Sequence, residues 1–144
     1  MKFRFETILR INQNKEDLLL KELGTINTHL QKQQDRKHFM ENASQQSKTE
    51  LNGKLREGID PNTLLLYNNF FWGIKIQTQR QQDIVSEIHS HLDAKRKEVV
   101  EAGKKRRIME ILKERDLAKF RKLQLKQENL MMDEVSSNIW RMNQ

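Results

Sequence analysis

The sequence predicts an all-α fold: a long antiparallel two-helix hairpin, with helices over about 4–55 and 61–140 and a turn at 57–60. Three observations predict it. Apolar residues recur at alternating steps of three and four along most of the chain, which places them on one helical face. A single proline, Pro61, stands in 144 residues, beside the one clear cluster of turn signals. Apolar residues make up 35% of the chain and charged residues 33%. That is too little apolar material for a thick layered core, but enough for a seam between long helices. Low hydrophobicity with net charge also suits a disordered chain, and the regular spacing argues against that reading. One coiled-coil domain over 1–144 is the expected organisation.

The first helix opens on "KFRFETILR", residues 2–10, where Phe3 and Phe5 alternate with charges as a strand would. Ile8 and Leu9 then follow Phe5 at helical spacing, and the longer period outweighs the short alternation. Stepping from Phe5 gives 5, 9, 12, 16, 19, 23, 26, 30, 33, 37, 40, 44, 47 and 51. Eight of these fourteen positions are apolar. The failures gather at Gln33, Lys37, Ser44 and Ser47, so the predicted seam is firm near 18–30 and weak over 31–50.

The turn lies in "REGIDPNTL", residues 56–64. Gly58 can end a helix in the left-handed conformation. Asp60 can cap the next helix, with Pro61 at its first position, where a missing N–H costs nothing.

The second helix repeats the pattern from Tyr67, with twelve apolar positions among twenty-two up to 141. Gly73 and Gly103 each cost about 1 kcal/mol relative to alanine without having to break it. Residues 61–72 could instead form a separate short helix at the tip. The two helices differ in length, about 78 Å against about 120 Å at 1.5 Å per residue. Folding about the turn brings Phe5 near residue 112 and packs the N-terminal aromatics against Met109–Leu117. The last 25 or so residues then have no partner in their own chain. Their apolar side chains, Leu123 to Trp140, should seek another protein or self-associate.

Composition also bounds the function. With no cysteine there are no disulfides and no thiolate metal sites, which fits a reducing compartment. Charges interrupt the first thirty residues, so no secretory signal is visible. The most apolar stretch, residues 64–76, is shorter than the roughly 20 residues a spanning helix needs. A soluble chain is expected. His89 and His91 point to different helix faces, and His29 and His38 are too far apart to share a metal. No serine or threonine sits in a nucleophile turn, and no glycine-rich phosphate loop is present. Carboxylates such as Glu110 and Glu114 are mixed with Lys113 and Arg115, as on a solvated helix face. No enzyme activity, cofactor, metal or small-molecule substrate is therefore expected.

The net charge of +7 is unevenly placed: residues 95–126 hold 13 Lys/Arg against 5 Asp/Glu. This belt includes "KKRR", Lys104, Lys105, Arg106 and Arg107, and suggests an acidic partner surface or a nucleic acid. Base-stacking aromatics are missing from it apart from Phe120. Around the tip, "YNNFFWGIKIQTQ" carries more apolar side chains than one seam covers. Phe70, Ile74, Gln77 and Gln81 form one stripe, which either closes the tip or docks a partner.

These pieces resemble the FliJ family, small coiled-coil proteins of the bacterial flagellar type III export apparatus. The likeness rests first on "KFRFETILRINQNKEDLLLKEL", through Phe3, Phe5, Leu9, Arg10, Glu16 and Leu23. It continues in "GI" at 58–59 with Tyr67 and Phe70. It ends in "KKRRIMEILKERDLAKF" and "QENLMMDE", through Lys105, Leu112, Lys113, Glu128, Met132, Asp133 and Glu134. The resemblance implies a non-enzymatic partner of the export ATPase, with a fold like the two-helix stalk of a rotary ATPase gamma subunit. Its joined ends would enter the hexameric ring and promote its assembly or activity, through Phe3, Phe5, Leu9, Met131, Met132, Asp133 and Val135. The stripe Phe70, Ile74, Gln77 and Gln81 would meet the membrane-embedded export-gate protein. Export chaperones are implied as further partners, and a cytoplasmic location with peripheral attachment to the inner membrane. Two other readings stay open on the residues alone: a nucleic-acid-binding coiled coil using 95–126, and a homodimeric structural rod.

Overall fold

The computed structural model describes residues 2–144. Two helices make up the fold, α1 (Glu6–Glu57) and α2 (Pro61–Met142), and no strand occurs among the described residues. The chain is an all-α helical hairpin, as the periodicity indicates. Gly58, with φ at 97°, carries the left-handed step that ends α1. The Leu64 amide donates to the Asp60 carbonyl at 3.1 Å, which starts α2 directly after the turn. Residues 61–72 do not form a helix of their own: α2 runs unbroken through Gly73 and Gly103.

The chain forms two compact units, one of residues 19–98 and one of residues 1–18 with 99–144. In the first unit the helices run antiparallel. Glu22 of α1 meets Lys95 of α2, and Gln33 meets Gln81. Its core is thin: Leu30, Val85 and Leu92 are buried, flanked by the partly buried Leu23, Ile26 and Ile88. In the second unit Glu6 meets Lys113 and Glu16 meets Arg106, again antiparallel. Phe3, Leu9 and Ala102 are buried there. The Glu6–Lys113 pairing at 3.0 Å puts the start of α1 within one turn of the level expected from the turn position.

All fourteen stepped positions from Phe5 to Leu51 are buried or half-buried, the polar ones included. So are all thirteen from Tyr67 to Met109. The face is therefore set by spacing even where the side chain is polar. Several polar seam positions meet polar groups across the seam. The Gln81 amide is 3% exposed and donates to the Gln33 carbonyl at 2.9 Å and to Gln33 Oε1 at 2.7 Å. Lys37 donates to Gln82, and Arg106 to Glu16. Among the described residues no buried side-chain polar atom lacks a partner, so the weak seam carries no desolvation penalty left unmatched.

Candidate interaction surfaces

The first surface is the end of α2. Every residue from 117 to 144 is exposed, although α2 stays helical to Met142. Eleven large apolar side chains lie on this segment with 37–83% of their surface open to solvent. A lone helix gains nothing from packing and little from propensity, so this much exposed apolar area makes the segment a candidate binding surface. Of the ring-facing residues that the resemblance implies, Met131, Met132, Asp133 and Val135 are exposed on it, and Phe5 is half-buried. Phe3 and Leu9 are 6% and 3% exposed. Their side chains are spent on holding α1 to α2, because a helix start without that anchor would fray. Phe3 and Phe5 also meet edge to face, with ring centroids 5.9 Å apart. Beside them Lys2, Phe3, Glu6, Lys113 and Leu117 line a shallow groove of about 290 Å³.

The second surface is the tip. Tyr67, Phe71 and Ile74 are half-buried toward the seam, with the Tyr67 and Phe71 rings 6.3 Å apart. Phe70 is 40% exposed and Gln77 is exposed. Gln81 does not join that surface, because the seam turns it inward onto Gln33. Ile74 and Gln81 belong to the stepped seam face itself, while Phe70 and Gln77 lie beside it and are exposed, so the four residues straddle the edge of the seam. A different exposed stripe is present: Leu65, Trp72 and Ile76 lie at helical spacing and are 57%, 67% and 48% exposed. The apolar surplus near the tip therefore faces outward, and does not serve to close the hairpin.

The basic belt is less free than its composition suggests. Lys104 pairs with Glu101 at 3.2 Å, and Arg107 with Glu110 at 3.3 Å and Glu114 at 3.5 Å. Arg106 bridges Glu16 of α1 and Glu110, 2.7 Å away. The Arg106 guanidinium holds the Glu110 carboxyl below its usual range, helped by Arg107, while burial opposes. The same contacts push the Arg106 pKa up. Lys95 is likewise raised, by hydrogen bonds to Glu22 first and then Glu98. Among the described residues Lys105 makes no ion pair, and neither do Arg115, Lys119 and Lys122.

Sequence reasoning within single helices missed the contacts between them. His29 of α1 and His91 of α2 line one groove with Ile26, Ile88 and Glu87. Spacing along one helix cannot bring the two to one groove. The polar partners Gln33–Gln81 and Glu16–Arg106 are visible in the sequence as seam failures on each helix. Only the register of the hairpin pairs them.

Among the described residues no helix is long and apolar enough to cross a membrane, and no group of His, Asp and Glu gathers as a metal site would. Neither a curated protein nor a solved structure matches the chain. A family model does match it, described as flagellar FliJ protein, over residues 1–144. With the whole length covered and the helical hairpin in place, the chain belongs to the FliJ family of flagellar proteins.

Proposed function

We propose that this chain, a FliJ-family component of the flagellar export apparatus, acts as the non-enzymatic stalk of the hexameric export ATPase. The overhang of α2, with the start of α1 beside it, enters the ring. There Met131, Met132, Asp133, Val135 and Phe5 supply contacts, and Phe3 and Leu9 hold the end together. The observation that carries this reading is the exposed helical segment 117–144 with its eleven large apolar side chains. A ring lumen is a socket that can cover such a helix on more than one side. Burying those side chains contributes on the order of 25 cal/mol per Å².

One asymmetric stalk cannot touch six identical subunits identically. Its binding energy is unequal among them, so it biases which subunit closes on nucleotide. The exposed cations of the belt speed encounter with an acidic ring surface. The tip meets the cytoplasmic part of the export-gate protein through Phe70, Ile74 and Gln77, with Gln81 acting from within the seam. Export chaperones are further partners, and the chain works as one coiled-coil domain on the cytoplasmic face, held peripherally at the inner membrane through the apparatus.

The test is ATPase turnover and hexamer assembly of the purified export ATPase with and without this chain. Both should rise with it. Removing residues 128–144 should abolish the gain while leaving the helicity of the remainder. The reading fails if the intact chain neither binds the ATPase nor changes its assembly or rate. Nucleic-acid binding is the competing reading, and it predicts affinity that falls steeply with salt, because releasing counterions gains less entropy as bulk salt rises.

A further inference from the structure

The exposed segment of α2 carries a charge pattern that its own chain cannot satisfy. Steps of four and three from Leu117 trace one face: Leu117, Arg121, Gln124, Glu128, Met131 and Val135, continuing to Met142. Every one of these side chains is exposed. Phe120, Met132 and Ile139 flank the face and are also open. Arg121 and Glu128 are the charged members among the six named. They stand two turns apart, about 10.5 Å along the axis, too far to pair with each other. Neither makes an ion pair with any described residue.

Covering this face buries an arginine and a glutamate, which is costly unless each meets its opposite. The cover must therefore present an acid and a base at that spacing, in reversed order, within an apolar helix face. A second copy of the same segment does so when it runs antiparallel. With a two-fold axis near Leu125, Arg121 of each copy meets Glu128 of the other, and the pair forms twice. Gln124 then faces Gln124, amide to amide, and Leu117 falls against Met131 and Met132. A parallel, in-register pair would set Arg121 on Arg121 and Glu128 on Glu128, so the same charges reject that arrangement.

We propose that the free chain self-associates through residues 117–142 as an antiparallel dimer, with reciprocal Arg121–Glu128 pairs selecting the direction. The dimer and the ring-bound stalk use the same face, so they exclude one another. Self-pairing covers the apolar overhang until a ring takes its place. The proposal does not rest on the ring reading, and its test contains no ATPase.

The experiment is sedimentation equilibrium of the full chain, of Arg121→Glu, of Glu128→Arg, and of an equimolar mixture of the two variants. Both sites are exposed and form no ion pair within the chain, so circular dichroism should show wild-type helicity in each variant. The wild type should dimerise with micromolar affinity. Each variant alone should weaken the dimer about tenfold or more, because two pairs become two repulsions. The mixture should recover a 1:1 dimer. In it the carboxylate introduced by Arg121→Glu meets the guanidinium introduced by Glu128→Arg, and the unchanged Glu128 of one chain meets the unchanged Arg121 of the other. General stickiness does not produce that rescue. A wild type that stays monomeric up to roughly millimolar concentration leaves the face to a foreign protein and overturns the proposal. So do variants that dimerise as tightly as the wild type, or a mixture that fails to recover.

Discussion

Leu92 and Leu130 are two leucines on one helix, and truncating each to alanine should have very unequal consequences. Leu92 is 1% exposed and packs in the cluster of Leu30 and Val85. Leu130 is 60% exposed. Removing three carbons from a buried leucine costs about 2–5 kcal/mol, with the cost set by how far neighbours collapse into the space. Around Leu92 those neighbours are Leu23, Ile26 and Ile88, which are only partly buried and have room to move. The low end applies, about 2.5 kcal/mol for Leu92→Ala. In a unit of roughly 80 residues, spanning 19–98, each kcal/mol lowers the melting point about 4–8 °C. The expected shift is thus about 10–20 °C. Leu130→Ala removes little buried area and gains helix propensity, so its expected effect is within about 0.5 kcal/mol of zero. Thermal and urea melts followed by helical circular dichroism, at dilute protein, measure both. A loss above roughly 1.5 kcal/mol for Leu130→Ala would mean that the terminal segment packs within its own chain. That result would refute the overhang and, with it, the basis of the stalk reading.

Three further outcomes follow from the same structure. Gly73 has nothing within 4 Å of where a Cβ would stand, so Gly73→Ala should raise stability by about 0.8–1 kcal/mol in urea melts. Gly58→Ala should do the reverse, losing about 1–2 kcal/mol, because φ of 97° is strained for any residue with a Cβ. The Glu110 carboxyl is held below its usual range by Arg106, so its stabilising contribution is full above the ordinary glutamate pKa of about 4.3. That contribution should fade as pH falls through the lower folded value. Melting points at pH 7 and near pH 3 should therefore differ less in Glu110→Gln than in the wild type.

Most of the backbone is legible in the sequence because helices announce themselves locally. Pro61 beside Gly58 marks the turn, and stepping by three and four marks the buried face of both helices. The face is even more regular than the apolar residues alone suggest, since Lys37, Ser44 and Ser47 keep to it. Two matters are hidden, for one reason. The roles of Phe3, Leu9 and Gln81 depend on what lies across the seam, and spacing along one helix carries no information about the other. Phe3 and Leu9 have the chemistry of a docking surface but are consumed in the chain's own packing. Gln81 has the chemistry of a solvated amide but is turned inward by Gln33. The exposed stripe of Leu65, Trp72 and Ile76 is hidden by the same logic, because the seam residues beside it decide which way α2 faces.

The polar seam also explains how the overhang keeps its length. An apolar seam alone tolerates a slip of one heptad, since leucine packs as well against one leucine as the next. The short connection of Gly58–Asp60 resists slipping near the tip, but its hold weakens with distance along two long helices. In the unit of residues 19–98, a heptad slip would set the Gln33 amide against Ile74 or Ile88, leaving Gln81 buried without its partner. In the unit of residues 1–18 with 99–144, the slip that sets Glu16 against Val99 strands a carboxylate that is mostly shielded from solvent. Stranding such a buried polar group costs about 1–3 kcal/mol, while in the native register no buried side-chain polar atom among the described residues lacks a partner. The seam is weaker for containing these residues, and the gain is a defined register. That register fixes the length of α2 left beyond Phe3, and on the proposed stalk reading a defined length matters more than a stronger seam.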